Sequence, residues 1–221
     1  MTSRKFKVIY WGLALVGIIV AGVAWMEMSA LEKRRAASVS LIPKDLAETL
    51  LPKARPLKPF ALQNHDGGPF TENQFKGKWD VVFFGYTQCP DVCPLSLSIM
   101  AEVFNSLEKS DPQVAEHYRG VFVSVDPKRD DLKILKDYAV YFHPKLTGVT
   151  GKPKQLQNIA RQMNVAYMVE PGDRPDNYLV NHTATMFLVD PQGRYAGVLQ
   201  TPHEADQIIA KLKKVIAFSQ Q

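Results

Sequence analysis

Only two cysteines occur in the 221 residues, Cys89 and Cys93, with three residues between them. That scarcity removes several kinds of chemistry. Structural zinc takes four ligands, and no second cysteine pair completes the set. An iron–sulfur cluster is excluded for the same reason. Covalent haem attachment needs Cys-x-x-Cys-His, which does not occur. A purely structural disulfide is a weak reading as well, because a three-residue gap closes a tiny loop and constrains the unfolded chain little. A large excess of one charge is also missing. The first 28 residues hold Arg4, Lys5, Lys7 and Glu27, which leaves 24 basic and 21 acidic residues in the rest. The basic residues are dispersed among acids, so there is no nucleic-acid footprint. There are no internal repeats and no low-complexity tracts.

One long apolar run is present. Val8–Met26 is nineteen residues without a charge, enough at helical rise to cross a bilayer core. Tyr10, Trp11 and Trp25 lie near its ends, where amphipathic rings prefer the interface. Signal-peptide apolar regions are usually shorter, and Met28-Ser29-Ala30 is a weak cleavage site. No cysteine adjoins the run to make a lipoprotein anchor. A single uncleaved transmembrane helix is therefore expected. Arg4, Lys5 and Lys7 before it nearly balance Lys33, Arg34 and Arg35 after it; the short N-terminal tail and the closer cluster favour N-terminus in, domain out. An exported domain tolerates disulfide chemistry. An anchor starting almost at Met1, without an Arg/Ser-rich leader, points to a bacterial inner membrane with the domain in the periplasm. The expected organisation is an anchor over residues 1–28, a polar, proline-broken tether over 29–56 and a folded domain over 57–221.

Within that domain, Asn64-His65-Asp66-Gly67-Gly68 makes a hairpin turn between two short strands. Val81–Phe84 reads as a buried strand. From Pro94 the pattern becomes helical, with Met100, Val103, Phe104 and Leu107 on one face. Gly120–Val125 is a second apolar strand. A helix follows, capped by Asp130 or Asp131. Leu156, Ile159, Ala160 and Met163 mark another. Thr185–Val189 and Tyr195–Leu199 flank the turn Asp190-Pro191-Gln192-Gly193, and Ile208, Ile209, Leu212, Val215 and Ile216 mark a terminal helix. A β-α-β unit followed by a hairpin and a last helix is the thioredoxin-like plan, here with an N-terminal hairpin extension: an α/β fold.

In that plan Cys89 and Cys93 sit where the first core strand meets its helix. A helix N-terminus favours thiolate, so both thiols are expected to be more acidic than usual, with Asp91 opposing. Two thiolates suit Cu(I), and a third ligand would allow either copper oxidation state. They equally suit thiol–disulfide exchange. Of five histidines, His65 and His117 read as surface, and His143 and His203 as incidental. His182 precedes the hairpin strand expected to run beside the cysteine strand. Its leading loop then faces the cysteine loop, and neutral imidazole is a common copper ligand.

These segments resemble the Sco/SenC family, copper-binding assembly factors for cytochrome c oxidase. Gly85–Pro94 is similar to the family's cysteine motif and Ser124-Val-Asp-Pro-Lys-Arg-Asp130 to its second motif. Tyr141-Phe-His-Pro144 with Leu146-Thr-Gly148 resembles the next block, and Tyr178-Leu-Val-Asn-His182 with Phe187–Gly193 the histidine block. The resemblance spans about residues 57–218. It implies one copper ion, Cu(I) or Cu(II), per domain, held by Cys89, Cys93 and His182. The implied partners are cytochrome c oxidase subunit II, whose copper A centre is assembled, and an upstream copper donor or thiol reductant. Asp126 matches an acidic position near the family site. Asn181 stands where the family often has aspartate, so its amide oxygen is the remaining acceptor for the histidine. Met186 is expected in the core.

Two other functions compete: an exported thiol–disulfide oxidoreductase, with Cys89 and Cys93 as its redox pair acting on subunit II cysteines or in redox signalling, and a peroxide-reducing thioredoxin-like enzyme. Ordinary thioredoxin-like reductases carry Cys-x-x-Cys and a proline just before the hairpin strand. Here the gap is three residues and Thr183 follows His182. For a peroxidase Thr87 is present, but no arginine can be assigned beside one reactive cysteine.

Overall fold

In the computed structural model the described residues are 17, 19–31, 42–174 and 177–220. The chain divides into two units, Met1–Pro43 and Lys44–Gln221. In the first, residues 19–31 form helix α1. Among the described residues no helix is long and apolar enough to cross a membrane. Residues 8–16 and 18 of the expected span lie outside them.

The second unit carries an eight-stranded sheet in the order β1-β10-β9-β4-β5-β6-β2-β3. Its centre is β4 (Trp79–Gly85), β5 (Tyr118–Ser124) and β6 (Leu146–Thr150), which run parallel. Every residue of β4 is buried, as expected for a central parallel strand covered on both faces. Helix α2 (Val92–Ser110) follows β4 and buries the expected face, Met100, Val103, Phe104 and Leu107. The short helix α3 (Pro112–Glu116) leads into β5. Helix α4 (Leu132–Phe142) links β5 to β6, and α5 (Pro153–Gln162) follows β6. Strands β9 (Met186–Val189) and β10 (Arg194–Leu199) form the expected hairpin, with β9 antiparallel to β4. Helix α6 (Ala205–Ser219) ends the fold, and Tyr118 donates to its Leu212 carbonyl at 2.8 Å. The hairpin extension is present as β2 (Leu62–Asn64) and β3 (Pro69–Phe70), with β2 also paired to β6. The arrangement is mixed α/β and thioredoxin-like.

Several elements differ from the sequence expectation. The segment read as tether, 29–56, contributes strand β1 (Leu50–Pro56), paired with β10. Pro52 and Pro56 were reasons to expect a linker, but β1 is the edge of the sheet, where a strand tolerates residues with no N–H to donate. The folded unit accordingly begins at Lys44, and Leu46 and Leu50 are buried. Strand β6 lacked an apolar signature because it contains Gly148, where a Cβ would meet Leu135 at 2.6 Å. Strands β7 (Tyr167–Arg174) and β8 (Asn177–His182) form a separate two-stranded ribbon. Asp131 caps α4 by accepting from the Ile134 N–H at 2.8 Å; Asp130 has another task.

The entry to β4 is fixed by a cross-strand ion pair. Asp80, 1% exposed, accepts from Nε and Nη2 of its β5 partner Arg119 at 2.9 and 2.8 Å. Arg119→Met strands that carboxylate, and the expected loss is about 3 kcal/mol in urea unfolding. An unchanged midpoint would remove the pair from the account of β4.

Candidate metal centre

Strand β4 ends at Gly85, and the chain turns through Tyr86–Asp91 into α2. Cys93 lies in the first turn of α2 and is fully buried, while Cys89 is half-buried in the turn before it. Both thiols are free. Gly85 allows this packing: a Cβ there would lie 2.6 Å from the Cys93 sulfur and 2.9 Å from the Phe122 ring.

The turn is held from β5. Asp130, 1% exposed, accepts from the Thr87 N–H at 2.9 Å, the Thr87 hydroxyl at 2.6 Å and the Ser124 hydroxyl at 2.5 Å. The Cys89 N–H donates to the Tyr86 carbonyl at 3.3 Å. The Val125 N–H reaches the Gly85 carbonyl at 2.9 Å, so the loops after β4 and β5 are tied together.

His182 is the last residue of β8. Its Nε2 lies 3.1 Å from the Cys93 sulfur and its Nδ1 3.1 Å from the Thr183 carbonyl. A carbonyl only accepts, so Nδ1 carries the proton and the Nε2 lone pair faces the sulfur. The ring meets Phe83 and Tyr86 edge-on, at 5.8 and 6.1 Å between centroids. The ligand atoms of Cys89, Cys93 and His182 all lie within 4.8 Å of one another. Among the described residues this is the one cluster of three or more His, Cys, Asp or Glu side chains able to hold a metal ion.

Electrostatics corrects one expectation. Both cysteines were expected to be acidic through the helix N-terminus. Instead burial pushes the Cys93 thiol up, with the Tyr86 backbone N–H opposing and the Cys89 sulfur adding to the rise. Burial also lowers His182, against its bond to Thr183. Desolvation therefore keeps both groups neutral, a thiol facing an imidazole. A soft cation reverses this balance by replacing the proton, since thiolate is the metal-binding form. Two sulfurs and one imidazole nitrogen suit copper.

Of the two expected supporting residues, Asn181 turns away from the imidazole, and Asp126 is one step removed from it, bonded to Tyr178 of the same strand. Asn181 is exposed and donates to Glu170 at 2.9 Å. Strand alternation turns it away from the face of His182, and the Thr183 carbonyl fixes the imidazole instead. Asp126 is buried and is bonded to Arg129 and to the Tyr178 hydroxyl, the latter at 2.8 Å. It is outside the donor cluster. His65 is not a surface residue: its side chain is 9% exposed and its Nδ1 accepts from Gly148. His143 is buried against Phe104 and accepts from Lys145. His117 is exposed, and half-buried His203 contacts Leu199. Met186 is fully buried opposite Phe83, as expected. Sequence reasoning missed Tyr86, Arg129 and the true role of Asp130. The Ser124–Asp130 motif was the available signal, since three of its charged residues, Asp126, Arg129 and Asp130, prove to be largely buried.

The SCO1/SenC family profile matches residues 49–217. A mouse protein, "Protein SCO2 homolog, mitochondrial", is 31% identical over 205 residues, covering 93% of this chain and 78% of its own. The structure of Bradyrhizobium japonicum ScoI with copper bound is similar with a TM-score of 0.64 and 33% identity, covering 72% of this chain and 98% of that one. Apo Sco1 from Thermus thermophilus gives 0.67 and 35%, covering 76% and 95%.

Two outcomes are expected from the site. Iodoacetamide should modify Cys89 at least about ten-fold faster than Cys93 in the reduced domain, because reactivity follows exposure and thiolate fraction; equal rates by mass spectrometry contradict the burial argument. Asp130→Ala leaves three donors without an acceptor and should cost about 3 kcal/mol in urea unfolding.

Proposed function

The chain belongs to the SCO1/SenC family, and from that premise we propose that the domain holds one copper ion on Cys89, Cys93 and His182 and serves assembly of the copper A centre of cytochrome c oxidase. The observation that supports the reading best is the three-atom cluster, with the His182 lone pair turned towards the Cys93 sulfur. The copper-bound Bradyrhizobium relative covers the same domain.

Each residue has a task. Cys89 and Cys93 give up protons and supply two soft ligands, enough for Cu(I). His182 adds the nitrogen that Cu(II) requires. The Thr183 carbonyl keeps its proton on Nδ1. Asp130 and Thr87 keep the cysteine turn in place. Bound copper supplies the charge that makes two neighbouring thiolates tolerable in a buried setting.

Thiol chemistry is the second reading, favoured by the unequal exposure of the two sulfurs. The accessible Cys89 thiolate attacks a partner disulfide, and one partner thiolate leaves. Cys93 then attacks the mixed disulfide and releases the second. The net exchange oxidises Cys89 and Cys93 to a disulfide and reduces the partner disulfide to a dithiol. Subunit II of the oxidase is the proposed partner in both readings, with a copper donor or thiol reductant upstream. Residues 1–28 are proposed to anchor the domain in a bacterial inner membrane, with the folded unit, from Lys44 onward, in the periplasm.

Titration of the reduced domain with each oxidation state tests the assignment. Wild type should take up one copper. His182→Ala should hold Cu(I) within a few-fold but lose at least about a hundred-fold for Cu(II), because the remaining sulfurs satisfy only the softer ion. Absence of copper in the reduced wild-type domain by elemental analysis would end the copper reading. Oxidase assembly in cells unaffected by both Cys89→Ser and His182→Ala would end the assembly role.

A further inference from the structure

The ligand set is divided between two bodies. Cys89 and Cys93 ride on the main sheet and α2. His182 ends the β7–β8 ribbon, which among the described residues shares no hydrogen-bonded ladder with that sheet. The ribbon has little core of its own: Met168, Val169 and Leu179 are exposed, and Val180 is the only buried residue of β8. A two-stranded ribbon in water is marginal by itself. Something outside it must hold it against the cysteines.

We infer that Arg129 is a positioning residue for His182, clasping the β7–β8 ribbon to the cysteine loop. Its side chain is only 12% exposed. The guanidinium carbon lies 3.6 Å from the Tyr178 ring centroid. Nη1 donates to the Tyr178 carbonyl at 2.9 Å. Nε donates to Asp126, whose other oxygen accepts the Tyr178 hydroxyl at 2.8 Å. Tyr178 is thus held by its ring, its backbone and its hydroxyl. It stands four residues before His182 on β8, on the same face. The guanidinium also lies 5.4 Å from the Tyr86 ring, the ring that meets His182. Two short routes therefore connect Arg129 to the imidazole, one along β8 and one through Tyr86.

Economy of folding does not explain this arrangement. Burying a charged pair usually adds little to stability compared with apolar packing. Arg129 Nη2 is buried with no hydrogen-bond partner among the described residues, a further cost. What the arrangement provides is geometric. A planar guanidinium fixes an aromatic face and a carbonyl at once, which a lysine ammonium cannot do. The clasp presents the third ligand; without it the site is reduced to two sulfurs.

This inference rests on the copper reading for its consequence but not for its test. Hydrogen exchange in the metal-free, reduced protein reads the clasp directly. Arg129→Met, and independently Tyr178→Leu at the half-exposed end, should speed exchange of the Leu179 and Asn181 amides, which bond across the ribbon, at least about ten-fold, with β4 and β5 amides unchanged. Arg129→Lys should not restore protection. The same variants should lose about ten- to a hundred-fold in Cu(II) affinity, the usual range for residues that orient a ligand, and keep Cu(I) within a few-fold. Unchanged β8 exchange in a folded variant overturns the clasp. Faster exchange with unchanged Cu(II) affinity overturns the positioning role. Should Arg129→Met fail to fold, Tyr178→Leu decides alone. A wild type that takes up no copper defeats the copper reading, while exchange still decides the clasp.

Discussion

The site depends on the burial of one sulfur. Cys93 is placed in the first turn of α2 with no exposed surface, against the bare backbone of Gly85 and the Nε2 of His182. At that depth the desolvation of a thiolate outweighs the attraction of the helix N-terminus, and the thiol stays protonated. A proton, a soft cation or a second sulfur can each satisfy it. Those three partners define three states of the domain: reduced and empty, metal-bound, and oxidised. Because they compete for the same atom, metal binding and thiol exchange are linked by mass action.

The surrounding residues differ in how firmly they are built. The cysteine turn is locked by a carboxylate that accepts three hydrogen bonds and sits on the loop after β5. The imidazole, in contrast, arrives on a ribbon mostly exposed to solvent. Its attachment is a stack on Tyr178 and two hydrogen bonds to that residue, not a ladder of backbone bonds. The two sulfurs are thus the fixed part of the ligand set, and the nitrogen is the adjustable part.

What was legible in the sequence follows from how each element is stabilised. Strands β4, β5 and β9 and helices α2, α5 and α6 bury apolar faces, so their periodicity was visible. Both cysteines and His182 were found because their chemistry is rare and the topology brings them together. Strand β1 was hidden by Pro52 and Pro56, which break a central strand but not an edge. The β7–β8 ribbon was hidden because its side chains are largely exposed and leave no alternation to read. Asp130 and Asp131 were interchangeable as caps on sequence alone. Only the fold shows that Asp131 caps α4 while Asp130 points back to Thr87. Asn181 was misjudged because one residue along a strand reverses the face: it bonds Glu170, and the backbone of Thr183 takes the role assigned to it.

The division between fixed sulfurs and a clasped nitrogen bears on which copper oxidation state such a ligand set would favour. A site with three rigid ligands would hold Cu(II) firmly and give it up slowly. A site with two sulfurs alone would select Cu(I) and discriminate poorly between copper transfer and disulfide exchange. Placing the imidazole on a weakly cored ribbon gives an intermediate: the third ligand is available while Arg129, Asp126 and Tyr178 remain together, and it can be withdrawn without disturbing the sheet that carries Cys89 and Cys93. The buried Arg129–Asp126 pair thus has a task beyond packing, as the Asp80–Arg119 pair has at the entry to β4.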